Sequence, residues 1–453
     1  MIELLRRAAL VDDPRPAIIT NDREVSYPQL VAESHAVASA LLHRGITRFG
    51  IVDDDAARIV ALLAGASLAG AEACVYPPVH SVDEALELAG RFDHDVLVSE
   101  RTDIDSDDID VLCIADLVAG GSASVPEAPP RSRPLLVLTT GTTGLPRGAR
   151  QDWSRVVRPF LGLRAEPSER WLLAYGLHQF GGLQLLLHVL GEGATVVAPT
   201  PRRPREGIVA MRRFGVRHAS ATPTYWRFVV AELRSDGGEV PPLQQITLSG
   251  EAVQSRLLDE LTSMFPGARV SQIYGANESG TLRSVRDNRN GLPLSALTED
   301  PDADIAIKIV DGELWVRSRI GMLGYYGEPP IDPDAWRPTG DLVEIVGDRV
   351  KFRGRATEII NVGGVKVHPL PIEERISAID GVQFVRVFGR TNALSGSIVA
   401  VEIVASADAD ATKLDEAVRA ACADLPRAAR PRSIKFVDTV ETTGNKVTRG
   451  ARA

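Results

Sequence analysis

From Tyr27 to Gly275 short apolar runs alternate with helix-length stretches, and this alternation limits the chain more than any other feature. Tyr27–His43 has apolar residues at helical spacing and closes at Gly45, a residue free to take the left-handed turn that ends helices. Phe49–Val52 reads as a strand, Ala56–Ala69 as a helix stopped by Gly70, Ala73–Tyr76 as a strand, Val82–Gly90 as a helix and Asp95–Val98 as a strand. A Gly/Ser/Ala/Pro-rich crossing over 120–134 follows. The pattern then resumes with strands at Leu135–Leu138, Trp171–Tyr175, Thr195–Ala198, Ile246–Ser249 and Val270–Tyr274, and helices at Gly182–Leu190, Gly207–Phe214, Thr224–Leu233 and Ser255–Met264. Strands separated by helices are joined by crossovers and therefore lie parallel. From Asp304 the strands shorten: Ile305–Val310, Glu313–Arg317, Leu342–Val346 and Arg349–Arg353. A separate pattern closes the chain, with Val382–Gly389, Ser397–Val404, Lys413–Ala423 and Ser433–Val437. The expected fold class is α/β: a large N-terminal domain of several subdomains with mainly parallel sheets, then a small mobile α+β domain.

At 453 residues such a chain holds more than one domain. Its 51 Lys+Arg against 60 Asp+Glu give a net charge of −9, the wrong sign for general nucleic-acid binding. Cys74, Cys113 and Cys422 are far apart and fit no metal or disulfide spacing. The N-terminus MIELLRRAALVDDPRP has no apolar signal core, and no apolar run reaches the length of a membrane span. The expectation is a cytoplasmic protein with no membrane span.

The apolar run Leu135–Leu138 empties into Thr139, Thr140, Gly141, Thr142, Thr143 and Gly144, with Arg147 close behind. Glycines let backbone N–H groups approach an anion, hydroxyls add donors, and a guanidinium suits phosphate oxygens. The pattern is not that of a Walker loop, and it also fits a polar surface turn. Downstream, QIYGANESG (272–280) puts Glu278, a candidate Mg²⁺ ligand, on a strand-end loop beside the aromatic face of Tyr274. WRPTGDLVEIV (336–346) offers Asp341 to the two hydroxyls of a ribose, or simply a turn. FRGRATEIINVGGVKVHPLPIEE (352–374) and TTGNKVTRG (442–450) complete the set; alone, Lys446 would be a surface lysine.

In this order and at these separations the five stretches resemble the adenylate-forming superfamily of acyl-CoA synthetases, stand-alone adenylation enzymes and luciferases, over nearly the whole chain. Weaker blocks agree: His178 in LHQFGG, ATPTYW (221–226), SGEA (249–252) and Gly312–Tyr326. The resemblance implies domains at 1–355 and 358–453 about a hinge at 356–357, centred on Thr357. It implies that Thr139, Thr140, Gly141, Thr142, Thr143, Gly144 and Arg147 meet the ATP phosphates. Gly250, Glu251, Ala252, Tyr274 and Gly275 would frame the adenine, Asn277 would bond a phosphate, Glu278 would hold Mg²⁺, and Asp341 with Arg355 would bind the ribose. Lys446, Glu278 and His178 would form the catalytic set. Rotation of the small domain would exchange Lys446 for the loop carrying Asn361, Gly363, Gly364 and Lys366, which serves thioester formation. Three positions depart from the family pattern: Arg147 for lysine, Asn277 for threonine, and Thr357 for Asp or Lys at the hinge.

The same resemblance places an acid pocket at His178, Gln179, Phe180, Gly182, Tyr225, Trp226, Ser249 and Gly275, although His178 and Trp226 also fit a packed wall and core. Tyr175–Leu183 contains no Asp or Glu to pair an ammonium. The expected substrate is therefore an aromatic or hydrophobic carboxylic acid, not an α-amino acid. Its adenylate would pass to coenzyme A or to the phosphopantetheine of an acyl carrier protein; a non-thiol acceptor, a non-catalytic nucleotide-binding relative and a homodimer stay open. Arg202, Arg203, Arg205, Arg212, Arg213 and Arg217 form a basic cluster suited to a phosphate, an acidic partner or solvent.

Overall fold

In the computed structural model the described residues are 1–11, 15–78, 81–119, 124–139, 146–393, 395–406, 408–440, 442–443 and 446–447. They form two large, mainly parallel sheets, an antiparallel sheet and a small C-terminal α+β unit, the expected α/β class. The eight-stranded sheet runs Gly280–Val285, Arg269–Ala276, Gln245–Ser249, His218–Ala221, Arg170–Leu173, Thr195–Val197, Pro16–Ile19, Glu24–Ser26. The seven-stranded sheet runs Gly324–Tyr325, Arg147–Asp152, Pro134–Thr139, Glu72–Val75, Arg48–Val52, Val96–Ser99, Asp110–Leu112.

Between these two sheets lies the main core. Ala56–Ala69 is apolar apart from Arg58 and Ser67 and is buried along nearly its whole length, as a helix covered by protein on nearly all sides must be. Asp55 caps it, its carboxylate accepting from Arg58 N at 2.8 Å, and Gly70 ends it at φ +79°. Tyr27–Arg44 packs on it closely enough that a Cβ on Gly65 would sit 2.5 Å from Val37 Cγ1 and 2.9 Å from Ser34 O. Phe180–Glu192 shares the same core. The outer face of the eight-stranded sheet is covered by the helices Pro204–Phe214, Pro223–Asp236 and Ser255–Met264, which bury Ile246, Leu248 and Val270.

Sequence and structure differ most around the phosphate-type loop. Arg147–Asp152 is a strand that pairs antiparallel with Pro134–Thr139, in register from Thr139↔Arg147 to Pro134↔Asp152. Its sequence RGARQD lacks an apolar pattern because only part of it is buried. Pro16–Ile19 and His218–Ala221 are also strands beyond those expected; each is four residues long and too short to show a period. Asp341 lies within the strand Arg337–Val346 rather than in a turn.

The C-terminal unit packs Pro369–Ser377 and Ala411–Ala421 on an antiparallel sheet, with Ser433–Phe436 added in parallel beside Gly396–Ala405. It docks on the large domain through the Phe228–Phe384 ring stack (6.0 Å between centroids) and Arg256, which donates to Ser377 O at 2.7 Å and Ile379 O at 2.8 Å. Thr357 sits in a one-turn helix, Ala356–Glu358, directly after the strand Arg349–Arg355. Lys446 is described only through its backbone, in a two-residue strand that passes beside the Pro223–Asp236 helix.

Gly65→Val forces side-chain bulk into the contact between two buried helices, and overpacking of this kind costs about 1–3 kcal/mol. The expected outcome is a lower urea midpoint with an unchanged slope, measured by circular dichroism.

Candidate active site

The edge of both parallel sheets opens into one cleft of about 1960 Å³. Parallel α/β sheets place ligands at the carboxyl ends of their strands, and the lining residues follow from that rule. Thr139 and Arg147 come from the seven-stranded sheet; Ser249, Gly250, Gly275, Ala276, Asn277 and Glu278 come from strand ends of the eight-stranded sheet. Arg355 enters from the antiparallel sheet. Thr140, Gly141, Thr142, Thr143 and Gly144 lie outside the described residues.

Glu278 points into the cleft and accepts the hydroxyl proton of Tyr325. Tyr325 also lies under Arg147, whose guanidinium carbon is 3.4 Å from the ring centroid. Arg147 pairs with Glu328 at 2.5 Å. Tyr325 was not among the expected site residues; its one signal in the sequence was the GMLGYY block. Gln151 fixes the turn before Glu278 by donating to Asn277 O at 2.9 Å.

Beside this carboxylate stands a second polar group. Tyr274 donates its hydroxyl to Asp341 Oδ2 at 2.6 Å, and Arg355 Nε lies 3.2 Å from Asp341 Oδ1. The pairing Asp341↔Arg355 is set by the strand register itself. The Asp341 side chain is 13% exposed; burial pushes its carboxyl up, against the opposing pull of Arg355 and the Tyr274 hydroxyl. Tyr274 rests its ring on Phe352, 5.0 Å away.

The acid-pocket expectations divide. His178, Gln179, Phe180, Ser249 and Gly275 line the cleft. His178 lies over Gly176, where a Cβ would come 2.3 Å from its ring, and burial beside Arg202 lowers its pKa to about 4. The imidazole is therefore neutral across the physiological range. Gly182 does not line the cleft: it packs on the backbone, its Cβ position 2.2 Å from Gly176 O. Tyr225 and Trp226 are also corrected. Both are buried in the core of the outer helices, with Trp226 Nε1 donating to Thr247 O at 3.0 Å and Tyr225 OH to Arg203 O at 3.3 Å. ATPTYW opens a helix whose apolar face packs on the sheet, and that packing takes both rings.

Glu251 accepts from Thr224 N at 3.1 Å at the start of that helix, and Ala252 follows it half-buried. Asn361, Gly363, Gly364 and Lys366 belong to a hairpin whose turn takes positive φ at both glycines, and they are not among the cleft-lining residues. The basic cluster is dispersed: Arg212 pairs with Asp236 at 2.8 Å and Arg205 with Glu232 at 3.7 Å, while Arg202 and Arg203 face the cleft.

A two-sheet α/β domain with this cleft is followed by a small α+β unit. The family profile of AMP-binding enzymes matches residues 5–326 and that of the AMP-binding enzyme C-terminal domain matches 371–446, and the chain belongs to this family. Phenyloxazoline synthase MbtB of Mycobacterium tuberculosis is 25% identical over 96% of this chain and 33% of that protein, so the chain spans about a third of its length. p-Hydroxybenzoic acid–AMP ligase FadD22 of the same organism is 27% identical over 69% of this chain and 47% of that protein. The fold is that of the anthranilate CoA ligase AuaEII with anthranoyl-AMP (TM-score 0.84, 20% identity, 98% and 94% covered). It is also that of o-succinylbenzoate CoA synthetase from Bacillus subtilis with ATP and magnesium (TM-score 0.76, 22%, 98% of each chain).

Because Asp341 holds its proton to higher pH when folded than when unfolded, its ionisation removes stability as pH rises from the ordinary carboxylate range through the raised value. Asp341→Asn is expected to raise the melting temperature at pH 7 and flatten its pH dependence in that window, while weakening nucleotide binding. Thermal scans with and without ATP check both.

Proposed function

We propose that the protein activates a carboxylic acid with ATP, forming an acyl-adenylate and pyrophosphate, and transfers the acyl group to the thiol of coenzyme A. The observation that carries this reading is the convergence of Glu278, Arg355 with its partner Asp341, and the Thr139/Arg147 hairpin at a single cleft whose far wall mixes polar, aromatic and charged side chains.

In the first step a carboxylate oxygen attacks the α-phosphorus, and the bond to the pyrophosphate oxygen breaks. Thr139 and Arg147 would meet the phosphates, with Arg147 exchanging Glu328 for them. Asp341 and Arg355 would hold the ribose, and Lys446 would steady the charge that gathers between carboxylate and α-phosphate. No covalent enzyme intermediate is needed, because positioning and electrostatics carry transfer at phosphorus. Among the described residues no group of three His, Cys, Asp or Glu side chains forms a metal cluster. Glu278 alone fits Mg²⁺, which binds through one or two carboxylates plus substrate phosphates and would neutralise phosphate charge there. In the second step the thiol sulfur attacks the acyl carbon, AMP leaves with the bonding pair, and the thiol proton is released. Carrier-protein phosphopantetheine is the second reading, favoured by the match to fatty acid–[acyl-carrier-protein] ligase MmaC, 26% identical over 60% of this chain. The reading assigns residues 1–355 and 358–453 to two domains that rotate about Thr357, in a cytoplasmic enzyme.

The test is pyrophosphate release over a panel of aryl, aliphatic and oxygenated acids, with and without coenzyme A. One acid should release pyrophosphate, and coenzyme A should convert the adenylate to thioester and AMP. Lys446→Ala should lower the rate by roughly 10²–10³-fold and leave ATP binding intact, and Glu278→Gln should weaken the magnesium dependence. Pyrophosphate release indifferent to coenzyme A moves the acceptor to a carrier protein, and silence across the panel overturns the adenylation reading.

A further inference from the structure

Parallel strands covered on both faces normally read as continuous apolar runs. Three central strands here do not. Gln245–Ser249 reads QITLS and His218–Ala221 reads HASA, each alternating polar with apolar, and Arg269–Ala276 does so over its first three residues, RVS. The apolar members, Ile246, Leu248, Ala219 and Val270, pack on the outer helices. The polar members line the cleft, in rows set by register. Ser220, Thr247 and Ser271 are one row; His218, Gln245 and Arg269 are the next, farther from the nucleotide end. One face of the Phe180–Glu192 helix, with Phe180, Gln184, Leu185 and His188, stands opposite. At 3.3 Å per residue the Ser220/Thr247/Ser271 row lies about 7 Å beyond Ser249.

The protons in this row have a definite direction. Gln245 Nε2 donates to Thr247 Oγ1 at 3.1 Å and to Ser271 Oγ at 2.9 Å, while Arg269 Nε holds Gln245 Oε1 at 2.7 Å. Each hydroxyl already accepts, so its own proton remains to be donated, and among the described residues no acceptor is recorded for either proton. Both side chains are almost fully buried, Thr247 at 5% and Ser271 at 2% exposed. Both hydroxyls line the cleft, so their protons can be donated to an oxygen of a ligand held there.

We infer that the acid is elongated and carries an acceptor oxygen (a ketone, ester or second carboxylate) that Thr247 and Ser271 bind, about one strand row beyond the reacting carboxylate. This rests on the adenylation reading and narrows its substrate class from hydrophobic acids to oxygenated ones. The specificity-determining groups are the two hydroxyls, positioned by Gln245.

The probes are the sulfamoyl-adenosine conjugates of decanoic and 6-oxodecanoic acids, non-reactive mimics of an acyl-adenylate, titrated calorimetrically into the full chain. The 6-oxo conjugate should bind roughly tenfold more tightly, the worth of one to two buried hydrogen bonds. Thr247→Val should cut that preference to about threefold or less, and Thr247→Ser, which keeps the hydroxyl, should retain it. Equal binding of the two conjugates, or a preference unchanged in Thr247→Val, overturns the inference while leaving adenylation standing. Binding of neither conjugate overturns both.

Discussion

The burial of two helices between two sheets is the constraint on which the remaining structure depends. Ala56–Ala69 offers solvent little beyond Arg58, so both sheets close on it, and Phe180–Glu192 completes the layer. The separation of sheets packed through a helical layer is not adjustable in small steps, because close-packed interiors resist it. The cleft inherits its width from that layer. Gly65 and Gly182 mark two close approaches in this layer: one lets helix meet helix, and the other lets a helix start against the carbonyl of Gly176. His178 is held on the same Gly176, so the orientation of a cleft residue follows from core packing.

Much of this was legible in the sequence. The helices Tyr27–Arg44, Ala56–Ala69 and Ser255–Met264 fall almost where periodicity and glycine stops put them, since their apolar faces are long enough to show a period. The short strands Pro16–Ile19 and His218–Ala221 could not announce themselves in four residues. The hairpin strand Arg147–Asp152 was hidden by its charge. Tyr225 and Trp226 show the reverse error: an aromatic pair beside a site-like motif belongs to the core, because the helix it starts must cover the outer face of the sheet. Asp341 was singled out by its TGD setting, whereas its hold on Tyr274 and Arg355 depends on a strand register that no local pattern reveals.

The polar alternation of the central strands was visible in the letters QITLS and HASA, yet it resembles an ordinary half-exposed strand. Only its place in the middle of an eight-stranded sheet makes it unusual. A fold that keeps serine, threonine and glutamine on such a face gives up apolar burial there, and native sequences tend to break local rules at sites that bind.

Arg147 closes a small circuit: its charge lies on the Tyr325 ring, the Tyr325 hydroxyl holds Glu278, and its other side is tied to Glu328. An anion arriving at this corner competes with a carboxylate already in place, so its capture is an exchange of partners and the net gain is only the difference between them. Under the proposed function such a latch would make the corner selective by charge density, because a polyphosphate would displace Glu328 where a single carboxylate would not. The same latch would shorten the stay of a spent, less charged product, because the protein's own glutamate competes for the position.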